Sequence, residues 1–142
     1  MTLVRFTSIA NFSAALAIAA GLAFAAPAQA QAGKAKAGKT QVKGDPVHGA
    51  VVFNQCKACH SLDAGKNGVG PTLKGIVGTK AAEVPGYSFS PAMKKSGLTW
   101  TPQALSEYLT APMKKVPGTK MPFGGLANPK DRDDVIAYLA KN

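Results

Sequence analysis

The stretch Cys56-Lys57-Ala58-Cys59-His60, CKACH, holds both cysteines of a 142-residue chain and one of its two histidines. Three chemistries use a CxxC pair: a redox disulfide, half of a zinc site, or two thioether bonds to one haem. A thioredoxin-like disulfide needs a βαβ surrounding, and no segment here alternates apolar and polar residues long enough to read as a strand. A zinc site needs four ligands. Cys56, Cys59, His60 and His48 make four, but His48 stands eight residues before Cys56, a spacing unlike that of zinc fingers. The third chemistry uses all five residues. Two thiols three positions apart can add to the two vinyl groups of one porphyrin edge, and the adjacent imidazole then meets the iron; C-x-x-C-H is the attachment signature of c-type haem. The motif therefore predicts one covalently attached c-type haem, with Cys56 and Cys59 as its thioethers and His60 as the proximal iron ligand.

The N-terminus agrees with that chemistry. After Arg5, Ala14 to Ala26 form thirteen apolar residues; Pro27 follows, and Ala28-Gln29-Ala30 supplies a small-x-small pattern. These are the n-region, h-region and cleavage site of a secretory signal. The run is shorter than the roughly 20 residues that span a bilayer. Residues 1–30 are expected to be a cleaved signal peptide and the protein periplasmic, where free thiols do not persist. The alternative is an uncleaved N-terminus that tethers the domain to a membrane.

Residues 31–44, QAGKAKAGKTQVKG, hold four lysines and a single sizeable apolar residue, Val42. They bury too little to offset the entropy of ordering and read as a flexible basic tail. The expected domain is 45–142. It carries twelve Lys or Arg and seven Asp or Glu, a net of +5, within a whole-chain charge of +10. That charge attracts acidic partners. It does not indicate nucleic acid, because the aromatic residues are in ordinary core numbers rather than forming a stacking platform.

Within the domain, a capping residue directly precedes proline four times: Asp45-Pro46, Ser90-Pro91, Thr101-Pro102 and Asn128-Pro129. The side chain caps the first free N–H groups of a helix, and proline suits the first helical position. Helices are predicted from Pro46 toward Gln55, from Pro91 to Lys95, from Pro102 to Thr110 and from Pro129 toward Lys141. The first has Val47, Ala50, Val51 and Phe53 as its apolar positions. The fold class is all-α: about four helices with long glycine- and proline-rich loops. A domain this small has a thin core, which a large apolar cofactor would complete.

A thioether on the other side of the iron would favour the reduced metal. The candidates past the leader are Met93, Met113 and Met121. Met121 lies in Pro117-Gly118-Thr119-Lys120-Met121-Pro122-Phe123-Gly124-Gly125, too broken to be helix or strand. Long irregular loops in small domains are usually functional, so Met121 is preferred.

The ordered set of motifs resembles the class I cytochromes c, in particular the small bacterial carriers of the c2 and c550 type and mitochondrial cytochrome c. The set is Gly49-x-x-x-Phe53, CKACH, Gly70-Pro71-Thr72-Leu73-x-Gly75-x-x-Gly78, Pro85-Gly86-Tyr87-Ser88, Trp100, Tyr108-Leu109-x-x-Pro112, Pro117 to Met121 and Ile136-Ala137-Tyr138-Leu139. The resemblance covers nearly all of 45–142. It implies His60 and Met121 as axial ligands and the Pro71 carbonyl as acceptor for the second ring N–H of His60. It places the Tyr108 hydroxyl near the Met121 sulfur, and Trp100 and Thr119 at the haem propionates. Gly49 would let the first helix cross the last one, with Phe53 and Tyr138 at the crossing. Three positions depart from mitochondrial-type members: Thr79 replaces arginine, Phe89 tyrosine and Met93 asparagine.

With both axial positions filled, the expectation is a monomeric one-electron carrier rather than an enzyme. Lys57, Lys66, Lys114, Lys115 and Lys120 would ring the exposed haem edge. They would steer it to acidic docking surfaces of a quinol-oxidising complex as donor and of a terminal oxidase, reaction centre or periplasmic reductase as acceptor. The alternative function is a gas-binding or peroxidase-like haem protein with a displaceable Met121.

Overall fold

The computed structural model describes residues 42–142. The expected signal, 1–30, and residues 31–41 of the expected tail lie outside the described residues. Among the described residues five α-helices follow in order: α1 (Pro46–Val52), α2 (Pro91–Lys95), α3 (Pro102–Thr110), α4 (Pro112–Lys115) and α5 (Pro129–Lys141), with a 3₁₀ turn, Phe53–Gln55, extending α1. Among the described residues there is no strand, only an isolated bridge between Lys80 and Thr99. None of these helices is long and apolar enough to cross a membrane.

All four caps form as the cap-proline pairs require. Asp45 accepts from the N–H of Val47 at 2.8 Å and Ser90 from that of Met93 at 3.1 Å. Thr101 accepts from Ala104 at 3.1 Å and Asn128 from Lys130 at 3.0 Å. The fifth helix, α4, lacks such a side chain. Its cap is Ala111, held at φ −160°. Pro112 thus ends α3 and begins α4 at once, and only the first of these roles shows in the sequence.

The frame of the fold is the crossing of α1 and α5. Gly49 lies directly on the backbone carbonyl of Asp134, so a Cβ there would overlap it. Phe53 and Tyr138 meet beside it, ring centroids 5.4 Å apart. Val52, Phe53, Val135, Ile136 and Leu139 are buried around the contact. This orientation sorts the apolar positions predicted for the first helix. Phe53 is buried, whereas Val47 and Val51 are 77% and 62% exposed. Each is two residues from Gly49, about 200° around a helix of 3.6 residues per turn. A helix that turns its glycine against a backbone must turn those valines outward.

The same crossing contains a buried carboxylate. Asp134 accepts from the backbone N–H of Asp45 at 2.7 Å and from the ammonium of Lys130, and His48 Nδ1 lies 2.7 Å away. The Lys130 hydrogen bond chiefly, then the Asp45 N–H, outweigh burial and hold the Asp134 carboxyl at about 2. His48 is therefore partnered at the helix crossing, and among the described residues no three His, Cys, Asp or Glu gather to hold a metal ion.

α3 packs on α5 and contributes Leu105, Tyr108 and Leu109 to the core. Arg132 of α5 donates to the carbonyls of Leu126 and Ala127 at 2.6 and 2.9 Å, and to Ser106 of α3 at 3.3 Å. It fixes the end of the loop that carries Met121. Ahead of α1, Val42 packs against the core and Gly44 against the backbone of Asp133.

Candidate haem site

The CKACH segment continues directly from the 3₁₀ turn. The N–H groups of Cys59 and His60 both donate to the carbonyl of Cys56, at 3.1 and 2.9 Å. This tight turn brings Cys56, Cys59 and His60 to one apolar cavity of about 290 Å³, while Lys57 and Ala58 face solvent. Burial, then the neighbouring Cys59, push the Cys56 thiol above its ordinary pKa.

His60 is oriented by its surroundings. Nδ1 lies 2.7 Å from the Pro71 carbonyl oxygen. A carbonyl only accepts, so Nδ1 carries the proton and Nε2 keeps its lone pair. Gly70 packs against the ring so closely that a Cβ there would collide with it. Imidazole and Gly70-Pro71 both line the cavity.

The structure separates the three methionines. Met113 is 56% exposed on α4 and does not reach the cavity; Met93 and Met121 both line it. Ser96 Oγ lies 3.9 Å from the Met93 sulfur but donates to the Met93 carbonyl at 2.8 Å; Met121 has the closer support. The hydroxyl of Tyr108 lies 3.6 Å from its sulfur and 3.0 Å from Thr119 Oγ1, and Thr119 Oγ1 accepts from the Met121 N–H at 3.3 Å. Burial raises the pKa of Tyr108 against the opposing Thr119 hydrogen bond, so the phenol stays protonated and can donate. Trp100 backs it, ring centroids 5.1 Å apart.

Two of the three departures act on this lining. Phe89 and Met93 present apolar surface to the cavity. Thr79 turns its hydroxyl back to the Ile76 carbonyl at 2.8 Å.

Of the five lysines expected at the edge, three are engaged locally. Lys115 pairs with Glu107 at 2.6 Å, Lys66 with Asp63 at 3.4 Å, and Lys120 donates to the Ser88 carbonyl at 2.9 Å. Lys120 alone of the five lines the cavity. Lys57 and Lys114 are exposed, with no ion pair among the described residues.

The Cytochrome c family matches residues 46–142. The chain belongs to the cytochrome c family. This cytochrome c is 54% identical to a cytochrome c2 of Rhodoblastus acidophilus over 99 residues, 69% of this chain and 92% of that one. It is 56% identical to a cytochrome c2 of Rhodomicrobium vannielii over 98 residues, 68% of this chain and 78% of that one. Among solved structures, cytochrome cH from Methylobacterium extorquens superposes with a TM-score of 0.66 at 57% identity, covering 70% of this chain and all of that one. Membership carries one covalently attached c-type haem. The cavity fits it: apolar walls, two thiols at CxxCH spacing, an imidazole with its free nitrogen defined, and a thioether with a hydrogen-bond donor beside it.

Two ties join the loops around the site; Tyr87 stood within the Pro85-Gly86-Tyr87-Ser88 motif, whereas Asn67 carried no sequence signal of its own. Asn67 bridges the Thr72 N–H and the Pro85 carbonyl, both at 2.9 Å. The hydroxyl of Tyr87 donates to the Val69 carbonyl at 2.8 Å. An asparagine followed by glycine reads from sequence as a turn, and its tertiary partners lie up to eighteen residues away.

Proposed function

We propose that this cytochrome c, an electron carrier by family, holds its haem through thioethers from Cys56 and Cys59 and ligates the iron with His60 and Met121. The observation that carries this reading is the pair of supports on one cavity: Pro71 fixing the His60 tautomer, and Tyr108 donating toward the Met121 sulfur. When bound, the haem supplies a one-electron couple at iron. The chain's residues do the rest. His60 offers Nε2 because Nδ1 is engaged. Met121 offers a soft donor that favours the reduced metal. Leu105, Leu109, Phe89 and Met93 exclude water from between the ligands. With His60 and Met121 both holding the iron, no position would remain open to a substrate, which supports electron transfer rather than catalysis.

The signal-like residues 1–30 support a periplasmic carrier, with 31–44 as a flexible basic tail to the domain of residues 45–142. It works as a monomer. Its partners are the acidic docking surfaces of a quinol-oxidising complex and of a terminal oxidase, reaction centre or periplasmic reductase. Lys57, Lys114 and Lys120 carry most of the steering, because Lys66 and Lys115 share their charge with carboxylates.

The optical spectrum of the oxidised protein, read in the weak long-wavelength band of sulfur-ligated ferric haem, tests the ligand set. The band is expected in the parent and absent in Met121→Ala. A parent that lacks it, or is high-spin, moves the gas-binding or peroxidase-like reading ahead.

A further inference from the structure

The carbonyl that orients His60 belongs to a peptide group held from its other end. The Pro71 C=O and the Thr72 N–H are two ends of one planar, trans unit and point in opposite directions. The carbonyl meets His60 Nδ1 at 2.7 Å, and the N–H meets Asn67 Oδ1 at 2.9 Å. Because the unit is rigid, fixing the N–H aims the carbonyl. Asn67 is itself fixed: its amide nitrogen donates to the Pro85 carbonyl at 2.9 Å. The orientation of the amide is unambiguous, since Thr72 offers only a donor there and Pro85 only an acceptor. A second link, Tyr87 to Val69 at 2.8 Å, holds the same two loops together.

We propose that Asn67 is a positioning residue for the haem iron, acting through the Pro71–Thr72 peptide on the proximal imidazole. It touches neither iron nor imidazole. Its acceptor oxygen aims the Pro71 carbonyl, and its donor nitrogen anchors it to the loop that begins at Pro85. An acceptor on the distal ring nitrogen raises the basicity of a ligating histidine, which favours the oxidised metal. Loss of the aim therefore favours the reduced metal. The inference rests on His60 as the proximal ligand.

The test uses the haem-loaded protein and two variants. Asn67→Ala removes both bonds. Its oxidised–reduced equilibrium is expected to move about threefold toward the reduced form, roughly 28 mV upward for one electron. Exchange of the His60 ring Nδ1 proton, followed by NMR, should accelerate about tenfold beyond the general change in amide protection. Asn67→Asp keeps an acceptor for the Thr72 N–H and loses the Pro85 donor. It should retain ring-proton protection within about twofold of the parent while its thermal stability falls. A merely structural role predicts lower stability in Asn67→Ala with parental potential and parental ring-proton exchange, and that result overturns the proposal. If Asn67→Ala does not load haem, Asn67→Ser, too short to keep both bonds, replaces it: the same shifts in potential and ring-proton exchange support the proposal, and parental values overturn it. Ring-proton exchange reads the Pro71 bond whether or not Nε2 holds iron. Failure of the ligand assignment, seen in the parent spectrum, is thereby distinct from failure of this one.

Discussion

The α1–α5 crossing and the haem cavity are built from opposite materials. At the crossing, helices meet through a glycine with nothing between them, and a buried carboxylate is satisfied on all sides. Around the cavity, loops rich in Gly and Pro are tied by single hydrogen bonds: Asn67 to Pro85, Tyr87 to Val69, Lys120 to Ser88. The crossing cannot change without displacing backbone. The cavity walls can lose one bond at a time. Stability should therefore be most sensitive at the crossing, and the properties of the iron most sensitive at the loops.

The largest way to break that contrast is Gly49→Val. Its Cβ would enter the Asp134 carbonyl, and neither backbone has room to move. A loss of about 3 kcal/mol or more is expected, measured by urea denaturation, with the sulfur band unchanged in whatever fraction remains folded. A Gly49→Val protein as stable as the parent would show the crossing to be plastic.

Asp134→Asn probes the charge in the crossing. The folded-state pKa of Asp134 is about 2, below its ordinary 3.8. A carboxyl with a lowered folded pKa stabilises the protein above its unfolded pKa, and that contribution is lost as pH falls through the folded value. The parent should therefore lose stability between about pH 4 and pH 2 through this group. The variant should be less stable at neutral pH and show a flatter acid limb, read by thermal melts across that range. Equal acid limbs would remove Asp134 from the acid response.

The smallest effect is expected at Tyr108→Phe. Removing one buried hydroxyl costs about 1 kcal/mol. The loop side of the contrast requires a visible change in the sulfur band and faster uptake of added imidazole. A variant with weaker stability but an unaltered band would place the Tyr108–Met121 contact in packing alone.

How much was legible in the sequence follows the same division. Caps are local, so Asp45, Ser90, Thr101 and Asn128 announced their helices. The haem signature is also local, and five consecutive residues specified it. The family resemblance pointed to a close approach at Gly49, but which apolar positions of α1 face the core is not legible in α1, because the facing surface of α5 is not written there. α4 escaped because Ala111 offers no capping side chain. Met113 and Met121 look alike as residue types; the loop around Met121 distinguishes it, and the family resemblance already put Tyr108 beside its sulfur, where the fold places it. Asn67 was invisible because its meaning depends on Pro85, eighteen residues on. Partners that depend on tertiary approach leave no local trace, whether they are a valine's solvent or an asparagine's carbonyl.

The pairing of the first helix with the last also bears on biosynthesis. Asp45 of the first helix cap bonds to Asp134 of α5 across 89 positions. A ribosome must release nearly the whole domain before this frame can close. Until then CKACH stays outside any packed core, within reach of the machinery that attaches haem. A frame closed by its most distant helices leaves the thiols between them accessible until late in synthesis of the domain.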